Sequence, residues 1–235
     1  YAIGGAIYCD DSNGTINECN FINNTAYADA NVDINDCSRY GGAVNLLSSS
    51  FTFNFCNFLN NTCFSTGNIS YAYAGAVLYQ DCPSIFFFDC KFIDNIVKST
   101  VGDSNTCGGA LFIHSSERLI IDCIILRNYA ISEGSKVVSY GGAMYMNNTF
   151  VQFINCDFSY NIAMGNISGF NEGGVIVSYL DLIAFQNSNF TSNEAKNLDG
   201  YNDNRGGGLS LSISNVTIEE CIFNDNEACY GGDIY

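Results

Sequence analysis

The chain has 235 residues, 24 acidic against 8 basic, and a formal net charge of −16. That charge excludes nucleic acid, whose binders need cations to neutralise phosphates, and it disfavours anionic membrane surfaces. Apolar residues make up 47% of the chain, enough for a sizeable core, yet no run of 18 offers a membrane-spanning helix.

In chain order, the first stretch is YAIGGAIY (1–8), which reads as a pattern already under way. The pattern declares itself at CNFINNTA (19–26) and returns at CNFLNNTC (56–63), CKFIDNIV (90–97) and CIILRNYA (123–130). It continues through CDFSYNIA (156–163), SNFTSNEA (188–195) and CIFNDNEA (221–228). Ahead of each stands a glycine pair or its remnant, GGAI, GGAV, AGAV, GGAL, GGAM, GGVI and GGGL, and GGDI occupies 231–234. A period of roughly 33 residues is the signature of a solenoid.

Within each repeat the apolar residues alternate. Ile16, Phe53, Phe87, Ile120, Phe153, Phe185 and Ile218 stand three places before the Cys position, and Cys then Phe follow at alternate places. Three short strands per repeat, with polar bends between them, fit this period and helices do not. No repeat has enough apolar surface to fold alone, so neighbours must stack. The reading is all-β: a single domain over 1–235, folded as a right-handed parallel β-helix of about seven coils and about 34 Å long. Segments 27–40, 64–73, 98–107, 131–140, 164–172 and 196–205 are polar and unalike, and are expected as loop insertions on one edge.

Asn24, Asn61, Asn95, Asn128, Asn161, Asn193 and Asn226 hold one position without exception. A bend asparagine that bonds backbone and its own copies above and below explains that constancy. Phe stacks on Phe, with Ile125 the one substitute, and the glycine pair suits positive φ or close backbone approach.

Twelve cysteines and no CxxC pair argue for an oxidising compartment over zinc. Cys19, Cys56, Cys90, Cys123 and Cys156 share a ladder position and are expected as stacked thiols, with disulfides among Cys9, Cys37, Cys63, Cys82, Cys107 and Cys229 near bends and loops. Sequons begin at Asn13, Asn23, Asn60, Asn68, Asn147, Asn166, Asn189 and Asn215, which points to a eukaryotic glycoprotein carrying N-linked glycans.

These tandem glycine pairs, in register with Phe21/Asn24, Phe58/Asn61, Phe92/Asn95, Phe158/Asn161, Phe190/Asn193 and Phe223/Asn226, resemble the GGA[ILV]/FxxN repeats of the chlamydial polymorphic membrane proteins. Similar repeats occur in some eukaryotic surface proteins. The resemblance covers the whole chain and implies a secreted β-helical rod with adhesive or structural duty. Departures are Gly75 without its pair, Ile125 for Phe and Ser188 for Cys. The bacterial family's C-terminal membrane barrel has no counterpart in these residues, so anchoring does not carry over.

Catalysis finds little support. His114 has no acid or nucleophile pattern beside it, and Asp10/Asp11 and Glu219/Glu220 read as solvated bends. Asp33, Asp36, Asp199 and Asp203 would suit calcium, but no calcium-loop pattern surrounds them and plain surface acidity is the better reading. The expected role is a non-catalytic, extracellular or cell-surface structural rod: a fibre, stalk or coat element. The alternatives are an adhesin whose loops touch a receptor or glycan, and a polysaccharide-active β-helix enzyme. Its expected partners are adjoining coils of a longer protein, or copies of itself, stacked end to end, with no nucleic acid and no membrane insertion.

Overall fold

A computed structural model describes residues 2–29, 37–67, 69–134, 136–165, 170–198 and 203–235. Sequon residues Asn68 and Asn166 lie outside the described residues, as do Asp33, Asp36 and Asp199.

Every strand pairs in parallel with its equivalent one coil away, which makes the chain a parallel β-solenoid. The fourth coil shows the plan. Leu111–His114, Glu117–Ile121 and Ile124–Leu126 lie on the first, second and third faces of a body. Tyr129–Glu133 then runs outward and Lys136–Tyr140 returns. Stacked, these positions make three seven-stranded body sheets and two six-stranded sheets, outgoing and returning. The segments expected as loops are therefore largely strand, and three strands per repeat become five. Outgoing and returning sheets form a two-layer flange along the body.

Body and flange have different interiors. In the body, inward Phe side chains stack in register: Phe21–Phe58 at 4.7 Å, Phe58–Phe92 at 4.8 Å, Phe158–Phe190 at 4.7 Å and Phe190–Phe223 at 4.6 Å between ring centres. Ile125 interrupts this stack between Phe92 and Phe158. A second stack, Phe53–Phe87 and Phe153–Phe185, meets the first edge-on. Each fully buried Phe contributes on the order of 1.5–3 kcal/mol by burial, and stacked pairs add about 0.5–1.5 kcal/mol.

Small residues fill the flange. Cys63, Ala72, Val97 and Ala130 form its apolar cluster, beside buried hydroxyls. Ser70 bonds Ser99, Thr106 reaches Ser132 at 3.0 Å and Ser139 at 3.2 Å, and Ser132 donates to the Val138 carbonyl at 2.9 Å. Short side chains let the two sheets close on each other, and these hydroxyls find partners in the layer opposite or beside them, while Ser104 Oγ is buried without one. The segment looked like loop because its inward residues are Ser and Thr, which carry no apolar alternation.

Where flange meets body, the two glycines of each pair do different work. The first holds a positive φ, 56° at Gly41. A Cβ on the second, Gly42, would sit 1.9 Å from the Gly75 carbonyl oxygen of the next coil. That explains the third coil: Ala74 tolerates φ 55° at modest strain, while Gly75 cannot be replaced, since its Cβ would lie 2.1 Å from the Gly109 carbonyl oxygen.

The three bends of the body share one grammar. A residue with positive φ, such as Ser48, Phe55 and Asn60 in the second coil, is followed by one whose side chain re-bonds the freed backbone: Ser49, Cys56 and Asn61. The third bend carries the asparagine ladder. Asn95 donates its backbone N–H at 3.1 Å and its Nδ2 at 2.9 Å to Asn128 Oδ1, and Nδ2 also reaches the Phe58 carbonyl at 2.9 Å. The same pattern links Asn24 through to Asn226, with Asn61, Asn95, Asn128, Asn161 and Asn193 fully buried. Asn128→Ala strips the acceptor from Asn95 and the donor from Phe92, and should cost about 1–3 kcal/mol for each buried group left bare. Asn60→Asp, at an exposed position filled by Asp94 one coil on, should be near neutral. Thermal melts of the two variants check the ranking.

Candidate functional site

The second and third body faces supply the comparison that locates a site. Repeats serve as one another's controls, and the third to fifth coils depart from the rest. Between the first and second faces of these coils lies an open depression of about 330 Å³, lined by Asp81, Cys82, Pro83, Ser115, Ser116, Glu117, Asn148 and Phe150.

Behind its wall sits Arg118. By register Arg118 occupies an inward slot filled by Ile85 in the coil before and Val151 in the coil after. Its guanidinium is buried, 5.0 Å above the Tyr79 ring, and Nη1 donates to the Glu117 carbonyl at 2.6 Å. Nε and Nη2, and the Tyr79 hydroxyl, have no hydrogen-bond partner. Burial pushes the Arg118 pKa down to about 10 and lifts the Tyr79 phenol well above its usual range. Both groups thus keep one protonation state near neutrality, arginine charged and phenol neutral. The pair holds charge and does not relay protons. The slot was legible as inward in the repeat alignment, and a charge there was the signal that sequence reading passed over.

His114 lies at the end of a first-face strand, partly exposed. Asp10, Asp11, Glu219 and Glu220 are all exposed, with Asp11 and Glu220 at positive-φ bends. Among the described residues no three His, Cys, Asp or Glu side chains gather as a metal group. Asp203 contacts Arg205 at 3.2 Å.

The cysteines resolve into two roles. Cys56, Cys90, Cys123 and Cys156 are buried, and each thiol donates to the carbonyl two residues earlier: Asn54 at 3.3 Å, Phe88 at 3.4 Å, Ile121 at 3.2 Å and Ile154 at 3.4 Å. Ser188 does the same to Gln186 at 3.0 Å, so cysteine here is a bend-closing donor of low polarity. The disulfides expected among the remaining cysteines are corrected: the structure shows none among the described residues. The reason is placement. Cys82 replaces a serine in the first-bend ladder, donating to Gln80 at 3.4 Å. Cys63 lies between Ala26 and Val97, Cys107 between Tyr73 and Tyr140, and Cys9 beside Leu46, so none of these three pairs in register with another cysteine among the described residues. Cys229 is exposed near Asn204, and the Cys37 side chain is outside the described set.

Of the sequon residues, Asn13, Asn23, Asn60, Asn189 and Asn215 are exposed and Asn147 is partly so. A line of aromatics, Tyr40 stacked on Tyr73 at 5.6 Å, Tyr73 edge-on to Phe112 at 4.9 Å and Phe112 stacked on Tyr145 at 5.3 Å, runs along the outer corner between returning sheet and first face. Each ring packs against a neighbour and is only partly exposed, which favours packing over a sugar platform.

Set against known proteins, the chain matches no family model, no characterised protein and no solved structure. The resemblance to the polymorphic membrane repeats rests on its own repeated residues.

Two measurements follow. Arg118→Val, borrowing the side chain of the next coil, should stabilise the fold by about 1–4 kcal/mol in denaturant unfolding, because a buried charge with two unpartnered nitrogens is removed. Non-reducing peptide mapping should return Cys56, Cys90, Cys123 and Cys156 as thiols, and a Cys19–Cys56 bridge would overturn their role as bend donors.

Proposed function

We propose that the chain is a non-catalytic structural solenoid, one length of an extracellular or cell-surface rod that bears N-linked glycans on its exposed bends and strands. The observation that carries this reading is the coil-to-coil continuity of the asparagine ladder, which joins seven successive coils by hydrogen bonds that are buried in the middle coils and partly buried at the two ends. Load along the axis passes through parallel ladders in all five sheets at once. Adjoining coils of the same protein, or further copies, extend the rod by the same pairing. The dispersal of its acidic groups supports a scaffold over an enzyme.

A second reading, a binding module, is favoured by one observation, the change of character in the third to fifth coils. Pulling the chain from its two ends in an atomic force microscope distinguishes a ladder from a globule. Coils should unzip in steps near 110 Å, about 33 residues at about 3.4 Å each. One all-or-none event spanning the whole chain would sink the ladder reading. Mass spectrometry of the native protein should find glycans on Asn23 or Asn60, and bare asparagine at every sequon would remove the surface assignment.

A further inference from the structure

We propose that the outer surface of the second and third faces, over the third to fifth coils, is a docking site for a protein segment with apolar side chains and a basic rim. Outward positions on the second face are polar in the first coil (Asn13, Thr15, Asn17) and the second (Ser50, Thr52, Asn54). They are polar again in the seventh: Asn215, Thr217 and Glu219. In register with them, the third coil presents Phe86 and Phe88, the fourth Leu119 and Ile121, and the fifth Ile154. Ile124 carries the surface onto the third face. Each of these side chains is partly exposed. The fold does not require them, since coils that stack equally well place Thr and Asn there. Phe150 and Leu182 extend it along the first outward column into the sixth coil, and an apolar surface centred on these coils of a repeat is an interaction site.

Charge names the occupant. Asp81, Asp89, Glu117 and Asp122 border the apolar residues and are exposed, with Lys91 the cation beside them. The Asp94–Arg127 pair nearby, at 2.7 Å, neutralises itself. A second copy docking through the same patch would bring carboxylates against carboxylates, which is costly across an interface. Lysine or arginine flanking apolar side chains satisfies both parts of the surface. The sequons agree with this layout. Asn13, Asn23 and Asn60 lie on or beside these faces in the first two coils, and Asn189 and Asn215 lie on them in the last two. Between them these two faces carry none, the nearest being Asn147 at the end of a first-face strand in the fifth coil.

The test uses the 235-residue chain and a fluorescent eight-residue peptide of alternating leucine and lysine, read by anisotropy at 150 mM and 500 mM NaCl. A leucine–glutamate peptide serves as the control. Binding of the lysine peptide should weaken at least tenfold when Phe86→Thr, Phe88→Asn, Leu119→Thr and Ile121→Asn are combined, which installs the side chains of the second coil. The rim variant Asp89→Asn, Glu117→Gln, Asp122→Asn should weaken binding about threefold and flatten its salt dependence. Its exposed positions keep the test decisive if the fourfold variant does not fold. The proposal is overturned if the lysine peptide does not bind, or if it binds both variants as tightly as the parent chain. Dimerisation of the parent chain that the fourfold variant loses, or patch-dependent sedimentation with phosphatidylcholine vesicles, would equally replace it.

Discussion

Everything in this structure depends on closing a bend at the height of a single coil. A parallel solenoid turns its chain several times per rung and cannot gain or lose axial height at the corners without breaking register in every sheet. Each bend therefore places one residue at positive φ, which frees backbone donors and acceptors inside the molecule. The next residue must re-bond them. Asparagine does so most completely, because a single amide both donates and accepts, and it is the residue that never varies. Serine and cysteine do so with a hydroxyl or thiol at the other two bends. Glycine serves the corner at the flange, where an added Cβ meets carbonyl oxygen.

Sequence alone reaches far into such a fold. Asn24 to Asn226, the Phe positions and the glycine pairs each recur for one geometric reason, and the structure assigns each of them that reason. The flange was not legible: Ser99, Ser132 and Ser139 are as buried as any phenylalanine, but their burial rests on a hydroxyl network and the closeness of two sheets. The cysteines misled for a related reason. Counting them suggested bridges, whereas Ser188 within their ladder and Cys82 within the serine ladder show that hydroxyl and thiol exchange freely as bend donors. Outward apolar residues on the middle coils were hidden as well, because a period-two pattern gives no sign of which face meets solvent when both alternating sets are hydrophobic, as in SIFFF (84–88).

The third to fifth coils hold two departures from the repeat, and they lie back to back. Inside, Arg118 puts a guanidinium with two unpartnered nitrogens under the first bend. Outside, Phe86, Phe88, Leu119 and Ile121 take the place of Thr and Asn. Neither is needed for the solenoid to stack, and the buried charge leaves two nitrogens without partners. Local rules broken in one region of an otherwise consistent sequence mark the part of a protein shaped by something other than folding.

The asparagine ladder also has a direction. Each Nδ2 donates to the Oδ1 of the coil that follows, so seven side-chain amides align head to tail along the axis. Aligned amides sum to a dipole, positive toward the donor end, as peptide groups do in a helix. At Asn226 that end meets the Asp233 carboxylate at 2.9 Å, an anion where the field is positive, as at a helix N-terminus. The solenoid is thus electrically polar along its third bend, with two ends that are not interchangeable.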